Sequence, residues 1–414
     1  MENLDEKLHE YAKLLVRVGL NCYEGQTLVI SSPVECAYFA RICAQEGYAA
    51  GVREVVMNWH DDAMARMKYL QADDAIFDEV ALWREHFFND YAKEGAAYLA
   101  ISASDPENFK GVDTSRLIRA QQASGKALKD FDRLQMCGGF PWCIASIPIP
   151  SWAGKVFPDC PVEEAMDKLW NAIFETVRIN GDGKCVEKWE AHLATLHQRM
   201  AKLNALQFKS LHYSNSLGTD LTVELPEHHI WEAGDDKTLG GRSYIANIPT
   251  EEIFTSPLKT GVNGVVYSAL PLSHNGSIID KFHFVVKEGR IVEAHAEKGE
   301  EELQAAISVD QGAPYFGEVA LVPYDSPISH QKILYYNTLF DENASCHIAF
   351  GEAYPCIEGG QEMTREELQA HGLNYSITHV DFMVGTEDLN ITGLTHDGRE
   401  IPVFVDGNFS KELS

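Results

Sequence analysis

The segment Tyr335–Cys356, YYNTLFDENASCHIAFGEAYPC, concentrates side chains that can bind metal ions or move protons. It contains two adjacent acids, Asp341 and Glu342, followed by His347 and Tyr354. Apolar residues flank this polar cluster on both sides, so the cluster either satisfies itself by hydrogen bonds or binds something. Because Asp is also a good turn residue, this segment alone leaves both interpretations open.

Two further segments of the C-terminal half offer carboxylates. Asn247–Pro257 places Glu251 and Glu252 between two prolines, and alternation in an extended segment would turn one inward and one outward. Glu318 stands at the start of the apolar run Val319–Val322. Taken singly, these acids are better explained by a polar loop for the Glu pair and by a solvated strand end for Glu318.

The pair His379 and Asp381 in ITHVDFMVG gives a sharper signal. Residues i and i+2 of a strand share a face, so these two side chains point together, while Val380 and Phe382 point the other way. An imidazole and a carboxylate side by side in a β-rich core are costly unless they pair or bind a ligand.

A two-metal hydrolytic site needs about six protein ligands, including a carboxylate shared between the ions. Oxygen and nitrogen donors suit Zn²⁺ or Co²⁺, and Mn²⁺ or Mg²⁺ also fit. Tyr354 could donate its phenol proton to a developing oxyanion. Cys346 should face away from the site and pack as a small apolar residue. The six candidate ligands are Glu252, Glu318, Glu342, His347, His379 and Asp381.

Composition narrows the class of protein. The 414 residues carry a net charge of −28, which disfavours a nucleic acid or an anionic membrane as partner. The N-terminus MENLDEKLHE does not read as a signal peptide, and no run of about 18 apolar residues predicts a membrane span. Nine scattered cysteines without a CxxC pair indicate reduced thiols and a cytoplasmic location.

Strands alternate with helices in the first part of the chain, which predicts an α/β N-terminal domain with a parallel sheet over residues 1–185. Gly47 and Gly125 are the expected ends of two of its helices, and Asp61 or Asp62 is the expected cap of a third. The predicted strands are Gln26–Ser31, Val52–Val56, Tyr98–Ser102 and Cys143–Pro148.

The pattern changes after a long predicted helix, Val186–Leu203. Short apolar runs with turn signals follow, including a hairpin signal at Lys287–Arg290. Residues 186–414 are therefore predicted to form an α+β C-terminal domain rich in antiparallel sheet, and this domain would carry the metal site.

The segments that hold these candidates resemble the thermophilic-aminopeptidase family of metallopeptidases, the aminopeptidase T, aminopeptidase S and PepS type. The resemblance covers the whole chain and is strongest from about residue 240 onward. It departs from the family at Ser329–Lys332, where bulkier residues replace an expected Ser-Gly. The stretches that carry it are ANIPTEEIFTSP, GEVALVP, YNTLFDENASCHIAFGEAYP, THVDFMVG and DLNITG.

The resemblance implies a homodimer that removes N-terminal amino acids from peptides with a free N-terminus, using two divalent metal ions per chain. It implies that Glu318 is shared between the ions and that Tyr354 stabilises the tetrahedral intermediate. Glu342 would be either a ligand or the base that acts on water. The remaining implied ligands are Glu252, His347, His379 and Asp381.

Other functions remain open at this point. The first alternative is a metal-dependent amidohydrolase that acts on a non-peptide amide. Comparing activity on unblocked and N-acylated peptides would distinguish it from an aminopeptidase. A binding protein that has lost its metals would show missing ligands, yet all six candidates are present. An acidic scaffold dimer would bind no metal and show no turnover.

Overall fold

The computed structural model describes residues 3–414, and the chain forms two compact units. One contains the described residues up to Leu193 together with Asp235–Thr250. The other contains Ala194–Gly234 together with Glu251–Ser414. The predicted boundary between residues 185 and 186 stays a prediction, and the sequence did not indicate that a short later segment belongs to the first unit.

The first unit is built on a five-stranded parallel sheet. Each central strand pairs in parallel with its neighbours, and helices connect successive strands. The strand order is Asn247–Ile248, Trp142–Ser146, Ala97–Ser102, Thr27–Pro33 and Glu54–His60. The α-helices are Leu4–Leu14, Ala37–Ala49, Asp62–Gln71, Leu82–Lys93, Thr114–Ala127, Lys129–Met136, Pro150–Val156 and Val162–Thr176. The predicted α/β class is thus confirmed for this half.

The residues expected to cap or end these helices were predicted correctly in one case and wrongly in two. Asp61 caps its helix as expected, since its Oδ1 accepts the Met64 N–H at 2.9 Å. Gly47 and Gly125 were wrong as helix ends, because both helices continue beyond them. A Cβ at Gly47 would lie 2.9 Å from Leu28 Cδ2, so this glycine serves close packing of its helix on the sheet instead.

The second unit contains two antiparallel sheets, as predicted for this half. In the nine-stranded sheet, Arg290–Lys298 pairs with Ser277–Lys287. The other eight strands follow the order Leu272–His274, Ser277–Lys287, Val262–Tyr267, Asp220–Glu224, Phe208–Ser214, Asn390–Thr395, Glu400–Val405 and Asn408–Phe409. The five-stranded sheet has the order His379–Met383, His347–Gly351, Phe316–Leu321, Ile253–Thr255 and Glu232–Ala233. The α-helices of the second unit are Glu300–Ala306, Pro327–Gln331, Thr338–Asp341 and Arg365–Ala370. The long helix Cys185–Leu206 leads into this unit.

Aromatic side chains form the hydrophobic core between these two sheets. Phe284 of the larger sheet contacts Phe382, Phe350 and Phe316 of the smaller one, with ring centroids 5.2, 5.9 and 6.4 Å apart. Cys346 is buried in the same core, as its predicted orientation required. The smaller sheet therefore has one apolar face, and its other face is available for polar side chains.

No helix within residues 3–414 combines the length and the apolar character that a membrane crossing requires.

Candidate metal centre

The polar face of the five-stranded sheet carries the candidate ligands. Alternation along each strand sends Ile348 and Phe350 into the core and leaves His347 on the opposite face. In the same way, His379 and Asp381 of the edge strand lie opposite to Phe382. The predicted common face of His379 and Asp381 is confirmed.

Small residues separate the ligands in the rows that cross this sheet. Ala349 pairs with Glu318 on one side and with Asp381 on the other. Ala320 pairs with His347 in the next row. Because an alanine projects only a methyl group, these rows leave space between the long carboxylate and imidazole side chains.

The first group of candidate ligands consists of Glu252, Glu318 and His347. His347 Nε2 lies 3.1 Å from Glu252 Oε2 and 3.5 Å from Glu318 Oε1. One ligand atom from each of the three residues lies within 4.8 Å of the others, and all three residues are buried. We call this group the first triad.

The second triad consists of Glu318, His379 and Asp381. His379 Nε2 lies 3.2 Å from Glu318 Oε2 and 3.3 Å from Asp381 Oδ1. Glu318 belongs to both triads, and its two oxygens face different imidazoles. In the part of the chain that the structure describes, these are the two groups of His, Cys, Asp and Glu side chains close enough to hold an ion.

Backbone carbonyls orient both imidazoles. His347 Nδ1 donates to the Glu342 carbonyl at 2.9 Å, and His379 Nδ1 donates to the Glu352 carbonyl at 2.8 Å. Since a carbonyl can only accept, the proton stays on Nδ1, and in a neutral ring Nε2 then offers a lone pair. This is the orientation that an Nε2 metal ligand requires.

Acids outnumber imidazoles in the site, and this imbalance sets the pKa values. Burial lowers the pKa of His347, but hydrogen bonds to Glu252 and Glu318 outweigh burial and raise the pKa well above its usual range. Burial also lowers the pKa of His379, and the adjacent Asp381 and Glu318 reverse its effect. The surplus of carboxylates therefore favours positive charge at this position, whether protons or a metal ion supply it.

Glu342 lies near both triads but belongs to neither. Its side chain is buried, with 8% of the residue exposed. Burial and then the negative charges of Asp381 and Glu252 raise the pKa of Glu342 well above its usual range. Its carboxyl is thus close enough to influence the ligands, and its role as ligand or base stays a prediction.

Tyr354 stands beside the second triad. Its ring contacts the His379 ring edge-on, with centroids 5.3 Å apart, and packs against Phe254 at 5.3 Å. Burial and then the charge of Glu318 raise the pKa of Tyr354 well above its usual value, so the phenol keeps its proton. The residue remains partly exposed, which leaves it accessible to a bound molecule.

The segment Tyr335–Cys356 serves two purposes at once. Asp341 accepts the backbone N–H groups of Tyr335 and Asn337, at 2.9 and 3.0 Å, and so forms a self-contained turn. His347 joins the first triad instead. The turn interpretation is therefore confirmed for Asp341, whereas metal binding by His347 stays a prediction.

One expectation about the acid pair was wrong. Glu251 and Glu252 are both buried, at 5% and 8% exposure, although alternation predicted that one would face outward. The negative charge of Glu251 acts on Arg199, whose pKa is lowered by burial and raised in part by this acid. Because Arg199 is about 50 residues away from Glu251 in the sequence, the pattern around Glu251 could not reveal this charge interaction.

The carbonyl of Glu352 and the ring of Phe254 are site features that the sequence reasoning missed. A backbone carbonyl acts regardless of its side chain, so no residue pattern reveals it. Phe254 could have been found, because it lies in the short strand Ile253–Thr255, which begins directly after Glu252.

Two carboxylate–imidazole triads joined by a common glutamate on an antiparallel sheet are a donor set of the kind that metal-dependent hydrolases use. The chain belongs to the thermophilic metalloprotease (M29) family, whose model matches residues 4–409. This membership confirms the resemblance found in the sequence.

Named relatives agree with this membership over their full length. The chain is 44% identical to aminopeptidase AmpS of Bacillus subtilis, over 99% of this chain and 100% of that one. It is 38% identical to aminopeptidase T of Thermus thermophilus, over 99% and 100%. The solved structure of wild-type AmpT from Thermus thermophilus superimposes with a TM-score of 0.89, covering 98% of this chain and 99% of that chain.

Proposed function

We propose that this chain is a metallo-aminopeptidase that releases N-terminal amino acids from peptides at a site holding two divalent metal ions. Its family is one of metalloproteases, and the relatives above are named aminopeptidases. The observation that carries the two-ion proposal is the position of Glu318. Its two carboxylate oxygens face imidazoles from two different strands, within two triads that otherwise share no residue.

The donor set fits the proposed ions. Each triad offers two carboxylates and one imidazole, a combination that suits Zn²⁺ or Co²⁺ and also accepts Mn²⁺ or Mg²⁺. Glu252 and His347 would hold one ion and His379 and Asp381 the other, with Glu318 shared. Bound ions would lower the pKa of a water molecule and draw electron density from the scissile carbonyl.

The chain's own residues supply the remaining chemistry. The Tyr354 phenol, protonated and beside His379, donates a hydrogen bond to the carbonyl oxygen as negative charge develops on it. Glu342 serves as a further ligand or accepts the proton of the attacking water. The free α-amine of a peptide binds an ion or a carboxylate of the site, which confines cleavage to the first residue.

Hydrolysis of leucine p-nitroanilide tests this proposal. The purified protein is assayed as isolated, after stripping with EDTA, and after Zn²⁺ or Co²⁺ is returned. We expect activity to vanish on stripping and to return with the metal. An N-acetylated version of the same substrate should stay intact, because it lacks the free amine.

Two results would contradict the proposal. A folded protein that binds no divalent ion and hydrolyses no unblocked substrate under any of these metals would remove both the metal site and the activity. Equal hydrolysis of the acetylated substrate would instead favour an amidohydrolase that does not recognise the amine.

A further inference from the structure

We propose that Asn343 is a positioning residue that holds Glu252 and His347 of the first triad in place, an inference that rests on the proposed metal site. Its side chain is completely buried. The amide oxygen accepts the backbone N–H of Glu251 at 2.7 Å. The amide nitrogen donates to the Leu339 carbonyl at 2.9 Å and to Glu342 Oε1 at 3.4 Å. One side chain therefore connects two chain segments that are far apart in sequence.

Both connected segments carry ligands of the same triad. The N–H held by Asn343 belongs to Glu251, so the bond fixes the backbone directly before Glu252. Asn343 also lies in the turn Glu342–Ala344, and the Glu342 carbonyl in this turn accepts His347 Nδ1 at 2.9 Å. The turn thus anchors Glu252 through the asparagine side chain and His347 through a carbonyl.

The second triad is anchored elsewhere. His379 Nδ1 donates to the Glu352 carbonyl, and Asp381 lies two residues further along the same edge strand. Neither residue hydrogen-bonds to the Asn343 side chain. Loss of the asparagine amide should therefore disturb one ion site and spare most of the other.

An amide is suited to this position because it accepts and donates at once. Alanine would leave the Glu251 N–H and the Leu339 carbonyl without this partner. Residues that orient metal ligands from outside the ligand set typically contribute a factor of about 10–100 in metal affinity. We expect a loss of this size in Asn343→Ala, confined to one of two ions.

The experiment titrates metal-stripped protein with Co²⁺, followed by calorimetry and by the visible absorption spectrum of bound Co²⁺. The wild type is compared with Asn343→Ala and with a matched control, Asn204→Ala. Asn204 also joins two segments of the same unit, since its amide oxygen accepts the Trp231 N–H at 2.7 Å and its amide nitrogen donates to the Trp231 carbonyl at 2.9 Å. It belongs to neither triad, so its removal should lower thermal stability and leave both affinities and the spectrum unchanged.

The expected result for Asn343→Ala is one ion bound about 10–100-fold more weakly, an altered spectrum, and a second ion bound as in the wild type. Wild-type affinity of Asn343→Ala for both ions would overturn the inference. So would a result in which Asn343→Ala and Asn204→Ala lose both ions to the same extent. If Asn343→Ala does not fold, Asn343→Ser is measured with the same criteria. A wild type that binds no ion and hydrolyses no peptide would refute the proposed function itself, which is a different outcome.

Discussion

Glu318 is the residue on which both proposed ion sites depend. Its Oε1 lies 3.5 Å from His347 Nε2, and its Oε2 lies 3.2 Å from His379 Nε2. The usual cost of burying a carboxylate is offset here, since bonds from the two imidazoles hold its pKa below the usual range despite burial. Each other member of the triads belongs to a single triad.

Substitutions at Glu318 and Asp381 should therefore differ in metal stoichiometry. Glu318→Gln removes the shared charge, so we expect the bound zinc to fall from two ions per chain to nearly none. Asp381→Ala removes a ligand of the second triad alone, so one ion should remain. Elemental analysis after dialysis against Zn²⁺ measures both, and two ions retained by Glu318→Gln would exclude a shared carboxylate.

Tyr354→Phe tests the oxyanion role at the same scale. The variant keeps the ring that packs on His379 and Phe254 but loses the donor, so kcat should fall by roughly 10²–10³ while KM changes little. Tyr267→Phe is the control, because this tyrosine stacks on His283 in the nine-stranded sheet. An effect on KM alone would assign Tyr354 to substrate binding instead.

At the scale of elements, the edge strand His379–Met383 performs two tasks with alternate residues. Asp381 faces the triads, and its neighbour Phe382 packs in the core against Phe284 and Phe282, with centroids 5.2 and 5.7 Å apart. The two tasks should therefore be separable by mutation of adjacent positions.

Phe382→Ala leaves a cavity in the core and should lower the free energy of unfolding by about 3–5 kcal/mol. Below its unfolding temperature the variant should still bind two zinc ions, since the ligands keep their strand register. Urea unfolding and metal analysis of Phe382→Ala and Asp381→Ala give the comparison. Loss of metal from Phe382→Ala while it remains folded would show that the two faces are not independent.

The sequence predicted this strand because its signal is local. Period-two alternation alone places His379 with Asp381 and opposite Phe382. The contacts of Asn343 with Glu251 join residues far apart in sequence, and their geometry depends on the completed fold. Gly47 failed as a helix end for a similar reason, since the feature that selects glycine there is contact with Leu28 of a strand.

At the scale of the whole molecule, a similar fold does not by itself indicate a similar function. A 2,5-dihydroxypyridine dioxygenase from Pseudomonas putida is 10% identical and superimposes with a TM-score of 0.52. That likeness concerns the fold alone. The functional proposal for the present chain rests on its triads and on relatives of 38–44% identity.

The oligomeric state is a prediction at the same scale. The resemblance implies a homodimer, so light scattering coupled to size-exclusion chromatography should give twice the chain mass of 46.2 kDa. The resemblance also implies that the C-terminal domains of the dimer enclose the active site, so the mass should hold on dilution wherever the protein is active. A monomer that retains full specific activity would contradict this expectation.

The strand His347–Gly351 places strict limits on how this family can diverge. It sends His347 and Ala349 to the triads and Ile348 and Phe350 to the core. Inserting or deleting one residue would exchange these faces, burying an imidazole among phenylalanines and pushing an aromatic ring between the carboxylates. Homologues that keep the activity should therefore differ here through substitutions alone, with the length of the strand preserved across evolution.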